Sequence, residues 1–304
     1  PASVREHVDI VIEGPFITEV RENSTPQSGT VEPDRRAAGP ETTIDCTGKI
    51  VWPGLVCSHN HFYSGLARGI TAAIGPTPDF ISTLKHLWWK MDGALDEEIL
   101  HSCSLISALE AVKAGTTAVI DHHASQSYIR GSLDTVCKGY EQAGLRGITC
   151  FEVSDRAGAD AQRQGVEENI SFAQKVNTDG AGLVRGMIGG HAPFTLPDSA
   201  LTLLADAVEK TDTGLHLHAA EDRYDVSHSH HHYGKDLLAR LNDFGLLNEK
   251  ALIVHGLFLS HEDIALLNDH DSFLVHNVRS NMNNGVGYNH HLPEVKNIAL
   301  GTDG

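Results

Sequence analysis

The sequence predicts an α/β protein in which eight parallel strands alternate with helices as a (β/α)8 barrel of the TIM type. Three observations carry that expectation. From Ile50 onward, short β-branched runs alternate with amphipathic runs. At 304 residues the chain has room for one such domain, commonly about 250 residues long. Histidine or acidic residues close several of the strand-like runs, and the carboxyl ends of the strands are where this architecture carries its chemistry.

In sequence order, Val8 to Glu13 and Phe16 to Val20 read as a hairpin, and the polar, Pro- and Gly-bearing stretch from Glu22 to Pro40 reads as a surface loop or linker. The strand-like runs are 50–58, 116–121, 147–153, 183–189, 214–218, 251–255, 272–276 and 298–302. In the clearest helix Asp96 is the N-cap, Glu97 and Glu98 suit the positive end of the dipole, and Gly115 is the stop. Its apolar Ile99, Cys103, Ile106 and Leu109 recur at helical spacing. Other helical patterns cover 166–176, 198–210, 235–244 and 261–267. Each parallel neighbour needs such a crossover, which buries both faces of the sheet. The segment after His61 is long and holds Tyr63, Arg68, Phe80, Trp88 and Trp89; it reads as a lid or binding loop, with packing against the outer barrel as the alternative for the tryptophans.

Forty acidic against 23 basic residues give a net charge of −17, which repels phosphate backbones and excludes a nucleic acid polymer as partner, while leaving a free nucleobase allowed. No run of about 18 apolar residues occurs and no export signal is visible, so membrane insertion is not expected. Five dispersed cysteines without a CxxC pair suit a reducing cytoplasm. HExxH, GxSxG, Walker A, GxGxxG and PCxxC patterns are missing, so nucleophilic serine or cysteine catalysis has no local support. The fourth strand run contains no lysine that could be carbamylated to bridge two metals.

What remains is a constellation of strand ends. His59 and His61 close the first run, His218 the fifth, His255 the sixth and Asp303 the eighth, with His122, His123 and His191 after the second and fourth. Neutral imidazole and carboxylate suit one divalent transition metal, Zn2+ or Fe2+, with room for a water made nucleophilic near neutral pH. Glu221, three residues past His218, is a candidate proton shuttle to a substrate nitrogen. Asp303 can bind metal and accept a proton, and His255 can polarise the group under attack or hold the nucleophile. His191 precedes Ala192-Pro193 and can equally be a structural turn residue. His216 is expected to face away from His218 into packing, and the run His228, His230, His231 and His232 is expected on an exposed loop.

These residues resemble the amidohydrolase superfamily, in its cytosine-deaminase-like and chlorohydrolase branch. The matching pieces are Pro53-Gly54-Leu55-Val56 before Ser58-His59-Asn60-His61, His218-Ala219-Ala220-Glu221, His255-Gly256, Ser280-Asn281-Met282 and Gly301-Thr302-Asp303-Gly304. Within that branch, residues 57–66 and 233–238 look closest to the SsnA-type aminohydrolases. The resemblance implies that His59, His61, His218 and Asp303 bind the metal, that Glu221 and Asp303 move protons, and that His255 and His191 face the substrate. Asp92 and Arg156 fall near positions where relatives place polar substrate contacts. Relatives usually carry Lys-Leu after the Ser-Asn-Met element; Asn283 and Asn284 stand there instead.

The same resemblance implies that residues 1–49 belong to a small composite β-sandwich and residues 50–304 to the barrel, which is expected to be C-terminally truncated after strand eight. The apolar backs of strands one and eight are then expected to be uncovered, the protein to form a homo-oligomer or to be weakly ordered around 1–40 and at strand eight, and metal to be held less tightly than in a longer parent. The expected activity is hydrolytic deamination of a nucleobase-like or other amino-bearing heterocycle. Chloride is the alternative leaving group, and a non-catalytic metal-binding protein is the alternative from another class.

Overall fold

The computed structural model describes residues 4–14, 16–22, 42–70, 74–75, 77–178 and 182–304, and the chain divides into units Pro1–Trp52 and Pro53–Gly304. In the first, β1 (Val8–Glu13) and β2 (Phe16–Glu22) form the expected antiparallel hairpin. The linker expected over 22–40 lies outside the described residues beyond Glu22, as do the first three residues.

The second unit carries β3 (Leu55–Asn60), β4 (Thr116–His123), β5 (Arg146–Phe151), β6 (Val184–Gly186), β7 (Ile188–Gly190), β8 (Leu215–Ala219), β9 (Leu252–His255), β10 (Phe273–His276) and β11 (Ile298–Leu300). Two all-parallel ladders run β3-β4-β5-β6 and β7-β8-β9-β10-β11, bridged where Val153 pairs with Gly190. The fourth run is thus split at Met187 into β6 and β7. The first run starts later than expected, at Leu55. Pro53 has no N–H to give a ladder, and Gly54 sits so close to strand β4 that a Cβ there would lie 2.1 Å from Thr117 Cγ2.

Among the described residues no ladder joins β11 to β3, yet the two ends meet: the N–H groups of Thr302 and Asp303 donate to His59 O at 3.0 and 3.1 Å. Gly301 permits that approach, because a Cβ on it would fall 2.9 Å from His59 Cβ and 2.3 Å from Asn277 Oδ1. The register levels the strand ends, pairing Asn60 with Asp121, His122 with Cys150, and Ala219 with His255.

Side chains two residues apart share a face, so Ile148 and Cys150, Leu252 and Val254, and Phe273 and Val275 pack together with Met187 between the strands. The larger core lies between strands and helices and includes the fully buried Leu100, Leu133, Tyr140, Leu201, Leu204 and Leu215. By contrast Leu55, Val56, Ile298 and Leu300 on β3 and β11 are exposed.

Helix Glu97–Lys113 is capped as expected, the Asp96 carboxylate accepting Ile99 N–H at 2.8 Å. Its buried face is rotated from the expected one. Leu100, Cys103, Ser104 and Ala108 are inside and Ile99 and Leu109 are exposed, because a seam of small residues admits the neighbouring helix Ser132–Ala143. Ser104 Oγ donates to Val136 O at 2.7 Å, against Gly139. The helix Ser132–Ala143 was not expected from the sequence, and the helix expected from residue 166 begins at Ala159. Within the long segment after His61, residues 80–92 are helical, started by Asp79 accepting Ser82 N–H at 2.7 Å. The histidine run is also helical, not a loop: it lies in Arg223–Tyr233, which Asp222 caps and Gly234, at φ +65, ends.

Candidate metal centre and active site

Three strand ends, those of β3, β8 and β11, bring His59, His61, His218 and Asp303 together. His218 Nε2 lies 3.2 Å from both His59 Nε2 and His61 Nε2, and Asp303 Oδ1 lies 2.8 Å from the first and 3.4 Å from the second. Four ligands placed 2.0–2.1 Å from a zinc ion stand about 3.3 Å apart at the corners of a tetrahedron. Three of the four edges given lie within 0.1 Å of that figure and the His59–Asp303 edge, at 2.8 Å, is shorter, so the residues present fit such an ion with a small outward shift of Asp303.

Tautomers sharpen the fit. The Nδ1–H of His61 donates to His122 O at 2.6 Å and that of His218 to His191 O at 2.9 Å, which leaves both Nε2 atoms with lone pairs aimed at one another. Two lone pairs facing at 3.2 Å repel unless a positive charge stands between them. Without an ion, the positive charge that settles there is a proton on His61. Burial pushes His59 down to about 4 and holds His218 well below its ordinary value. Burial also opposes charge on His61, but the Asp303 hydrogen bond and the charges of Glu152 and Asp303 outweigh it and carry His61 up to about 9. Burial would raise Asp303, yet the His255 charge and the bonds to His59 and His61 keep it well below the usual carboxylate range. His59 and His218 are thus kept neutral and Asp303 ionised, the forms in which imidazole and carboxylate can ligate a metal.

Backbone and neighbours fix the carboxylate and the sixth-run histidine. Asp303, His255 and Ala220 have φ of +69, +70 and +51, a left-handed backbone that side chains seldom adopt and that clusters at working sites. Ser280 Oγ donates to Asp303 Oδ2 at 2.5 Å, and the Nδ1–H of His255 donates to Asn281 Oδ1 at 2.9 Å. His255 Nε2 then stands 3.5 Å from Glu221 Oε2 and 3.8 Å from Asp303 Oδ1. Burial raises Glu221 to about 7, although the His255 charge works against it.

His191 lines the same mouth, its Nδ1 2.9 Å from Thr195 Oγ1 and its ring 5.7 Å from that of His218. Arg156 and Asp92 form a buried ion pair at 2.7 Å, with the guanidinium 5.0 Å from the Trp89 ring centre and Trp89 6.3 Å from His191. Asp92 Oδ1, Arg156 Nη2 and Trp89 Nε1 are buried without a hydrogen-bond partner.

His216 corrects its expectation. Positions i and i+2 of a strand share a face, so it lies on the side of His218, with Nε2 2.8 Å from His59 Nδ1 and its ring stacked on His122 at 4.3 Å. Glu152 went unnoticed in the sequence although it follows strand β5 directly, the same strand-end signal that marks the others. It is buried, raised to about 7 by that burial, and 3.4 Å from His61 Nδ1 and 3.5 Å from His122 Nδ1. His123 turns aside to Ser125 Oγ at 2.8 Å.

Residues 50–304 match the amidohydrolase family. The 5-methylthioadenosine/S-adenosylhomocysteine deaminases of Thermoanaerobacter pseudethanolicus and Desulforudis audaxviator are 28% and 30% identical, over 98% and 91% of this chain and 65% and 60% of their own lengths. The protein therefore spans less than two thirds of the length of these relatives. Among solved structures, a zinc-bound adenosine deaminase from Xanthomonas campestris superposes with a TM-score of 0.71 at 26% identity, covering 83% of this chain and 56% of that one. An Arthrobacter aurescens atrazine chlorohydrolase complexed with zinc gives 0.76 at 22% identity, over 98% of this chain and 67% of that one, a likeness of fold.

Proposed function

Because the chain belongs to the amidohydrolase family, we propose that it is a metal-dependent aminohydrolase that removes ammonia from an amino-bearing nitrogen heterocycle, with an adenine nucleoside or thionucleoside as the favoured substrate class. In this reading the strands form a closed eight-stranded barrel and the ion is zinc, held by His59, His61, His218 and Asp303. The single observation that carries it is the approach of His61 Nε2 and His218 Nε2 to 3.2 Å, beside Asp303 and within reach of Glu221 and the buried His255. An ion held there would lower the pKa of a water and polarise the carbon under attack.

The protein's own residues do the rest. Asp303, oriented by Ser280, takes a proton from the attacking water through its carboxylate. Glu221, held near neutrality by burial, gives a proton to the ring nitrogen, so the carbon can become tetrahedral without leaving charge on the ring. His255, locked by Asn281, presents Nε2 between the two carboxylates and steadies the oxygen being added. As the C–N bond breaks, the amino group takes the proton that Asp303 received and leaves as ammonia, the added hydroxyl returns its proton to Glu221 as the C=O bond forms, and the ring nitrogen keeps the proton it was given. His191, braced by Thr195, faces the ring, while Asp92, Arg156 and Trp89 offer one unpaired acceptor and two unpaired donors to hydroxyl or other polar groups beyond it. Supporting the nucleoside class are those unpaired atoms together with the deaminase relatives. Five unpaired cysteines accord with a reducing, cytoplasmic setting.

Ammonia release by the zinc-loaded protein, measured over a panel of adenosine, 5′-thioadenosines, free purines and pyrimidines, and chlorinated triazines, tests the proposal. Turnover of adenine nucleosides is expected. Release of chloride from triazines without ammonia from any member would replace deamination by dechlorination, and no turnover with metal bound would make the protein a metal binder.

A further inference from the structure

A second set of metal-type donors lies outside the strand-end cluster. His261 opens the helix His261–Asp269, and His291 and Glu294 belong to the turn around Leu292–Glu294. The Glu294 carboxylate engages both rings, Oε2 at 2.9 Å from His261 Nδ1 and Oε1 at 2.9 Å from His291 Nδ1. The two imidazole centres are 4.2 Å apart, and one ligand atom from each of the three residues lies within 4.8 Å of the others.

The chemistry of the set is specific. Two imidazoles and a carboxylate make a donor trio suited to zinc and its neighbours, with water completing the coordination. The backbones that carry the donors are also held. A reciprocal cap between Ser260 and Asp263 fixes the helix start, Asn268 Nδ2 donates to Glu294 O at 2.9 Å, and Lys296 N–H donates to Asn268 Oδ1 at 2.8 Å. The His261 side chain is 68% exposed and that of His291 31%, so an ion reaches them without opening the fold.

We propose that His261, His291 and Glu294 form a second divalent-metal site, taking Zn2+ or an ion of similar ligand preference, separate from the buried centre. On binding, the Nδ1 proton that each ring shares with Glu294 is displaced, leaving through solvent with the remaining ring proton on Nε2, and the freed Nδ1 lone pair turns to the ion. The ion ties a helix start to the turn that follows Ser280 and Asn281, the residues that hold Asp303 and His255. Another histidine pair serves as the control. His228 and His232 lie one turn apart with ring centres at 4.2 Å, and among the described residues they have no third donor of this kind within the same reach.

Calorimetric titration of the protein with Zn2+ alone tests the site, and it does not rest on the catalytic reading, since the number of ions is compared between variants. His261→Ala and His291→Ala are each expected to bind one equivalent fewer than the unmutated protein, with an unchanged circular dichroism spectrum. A double His228→Ala, His232→Ala variant should bind the same number as the unmutated protein. If both triad variants keep every equivalent, or if the equivalent disappears with His228 and His232 instead, the assignment is overturned. Should either single variant lose its fold, the other decides.

Discussion

The strand-end rings of His59, His61 and His218 and the helical run His228, His230, His231 and His232 use one side chain in two settings. In the first, two strand ends far apart in sequence deliver the rings, β3 those of His59 and His61 and β8 that of His218, backbone carbonyls choose the tautomers of His61 and His218, and burial removes charge from His59 and His218. In the second, one helix presents the rings. Among the described residues His228 and His232 face each other without a third donor in reach, and His230, half exposed, pairs with Asp236 at 2.8 Å. Density of histidine is therefore a poor guide to a metal centre. Convergence of lone pairs from independently anchored backbones, at ligand spacing, is the better one.

The largest expected effect separates the two regions outright. His59→Ala or Asp303→Ala should remove the buried metal and all turnover, whereas the double His228→Ala, His232→Ala variant should keep activity within about twofold, as surface changes usually do. Metal analysis alongside an ammonia assay checks both. Equal losses in the two regions would dissolve the distinction.

Next comes the proton shuttle. Glu221→Gln should keep its metal and lose about 10²- to 10⁴-fold in kcat. The pH profile carries a sign: burial raises Glu221 from 4.5 to about 7, so the proton it must give is present below that value and lost above it. Catalytic efficiency should therefore fall tenfold per pH unit above about 7, and that limb should vanish in the glutamine variant. Metal loss from Glu221→Gln would make Glu221 a ligand instead.

How much of this was readable in the sequence follows from the same physics. Strand ends were legible because period-two apolar runs stopping at His or Asp are a local pattern, and β4, β8, β9 and β10 lie close to where those runs placed them. Helix Ser132–Ala143 was not, since its seam is Gly139 against Ser104, a tertiary contact of small residues that carries no apolar stripe. The histidine run read as a loop because its composition is polar; the Asp222 cap and the buried Asp225, which accepts Ala220 N–H at 2.7 Å, are what start a helix there. His216 was misplaced by a miscounted alternation. Ser280 and Asn281 were visible as a motif, but their roles as anchors of Asp303 and His255 needed coordinates.

Smaller effects test the anchors. Ser280→Ala removes the hydroxyl that orients Asp303 and should weaken the buried metal about 10- to 100-fold, read by competition with a chelator, while leaving the surface triad's affinity alone. Asp225 offers the mildest test. Burial raises it from 3.8 to about 7, so the folded state keeps its proton where the unfolded state has lost it. Stability from this group is full below about pH 4 and declines as pH rises to about 7. Asp225→Asn should therefore raise the urea midpoint at pH 8 relative to the unmutated protein, and the gain should disappear near pH 4.

If the strand ends, not the histidine-rich helix, hold the working ion, anomalous diffraction at the zinc edge from crystals given one equivalent of zinc will place it there. A peak is expected about 2.0–2.2 Å from Nε2 of His59, His61 and His218 and from an Asp303 carboxylate oxygen. A peak on the Arg223–Tyr233 helix, or one at the strand ends that takes His122 or Glu152 in place of Asp303, would contradict it.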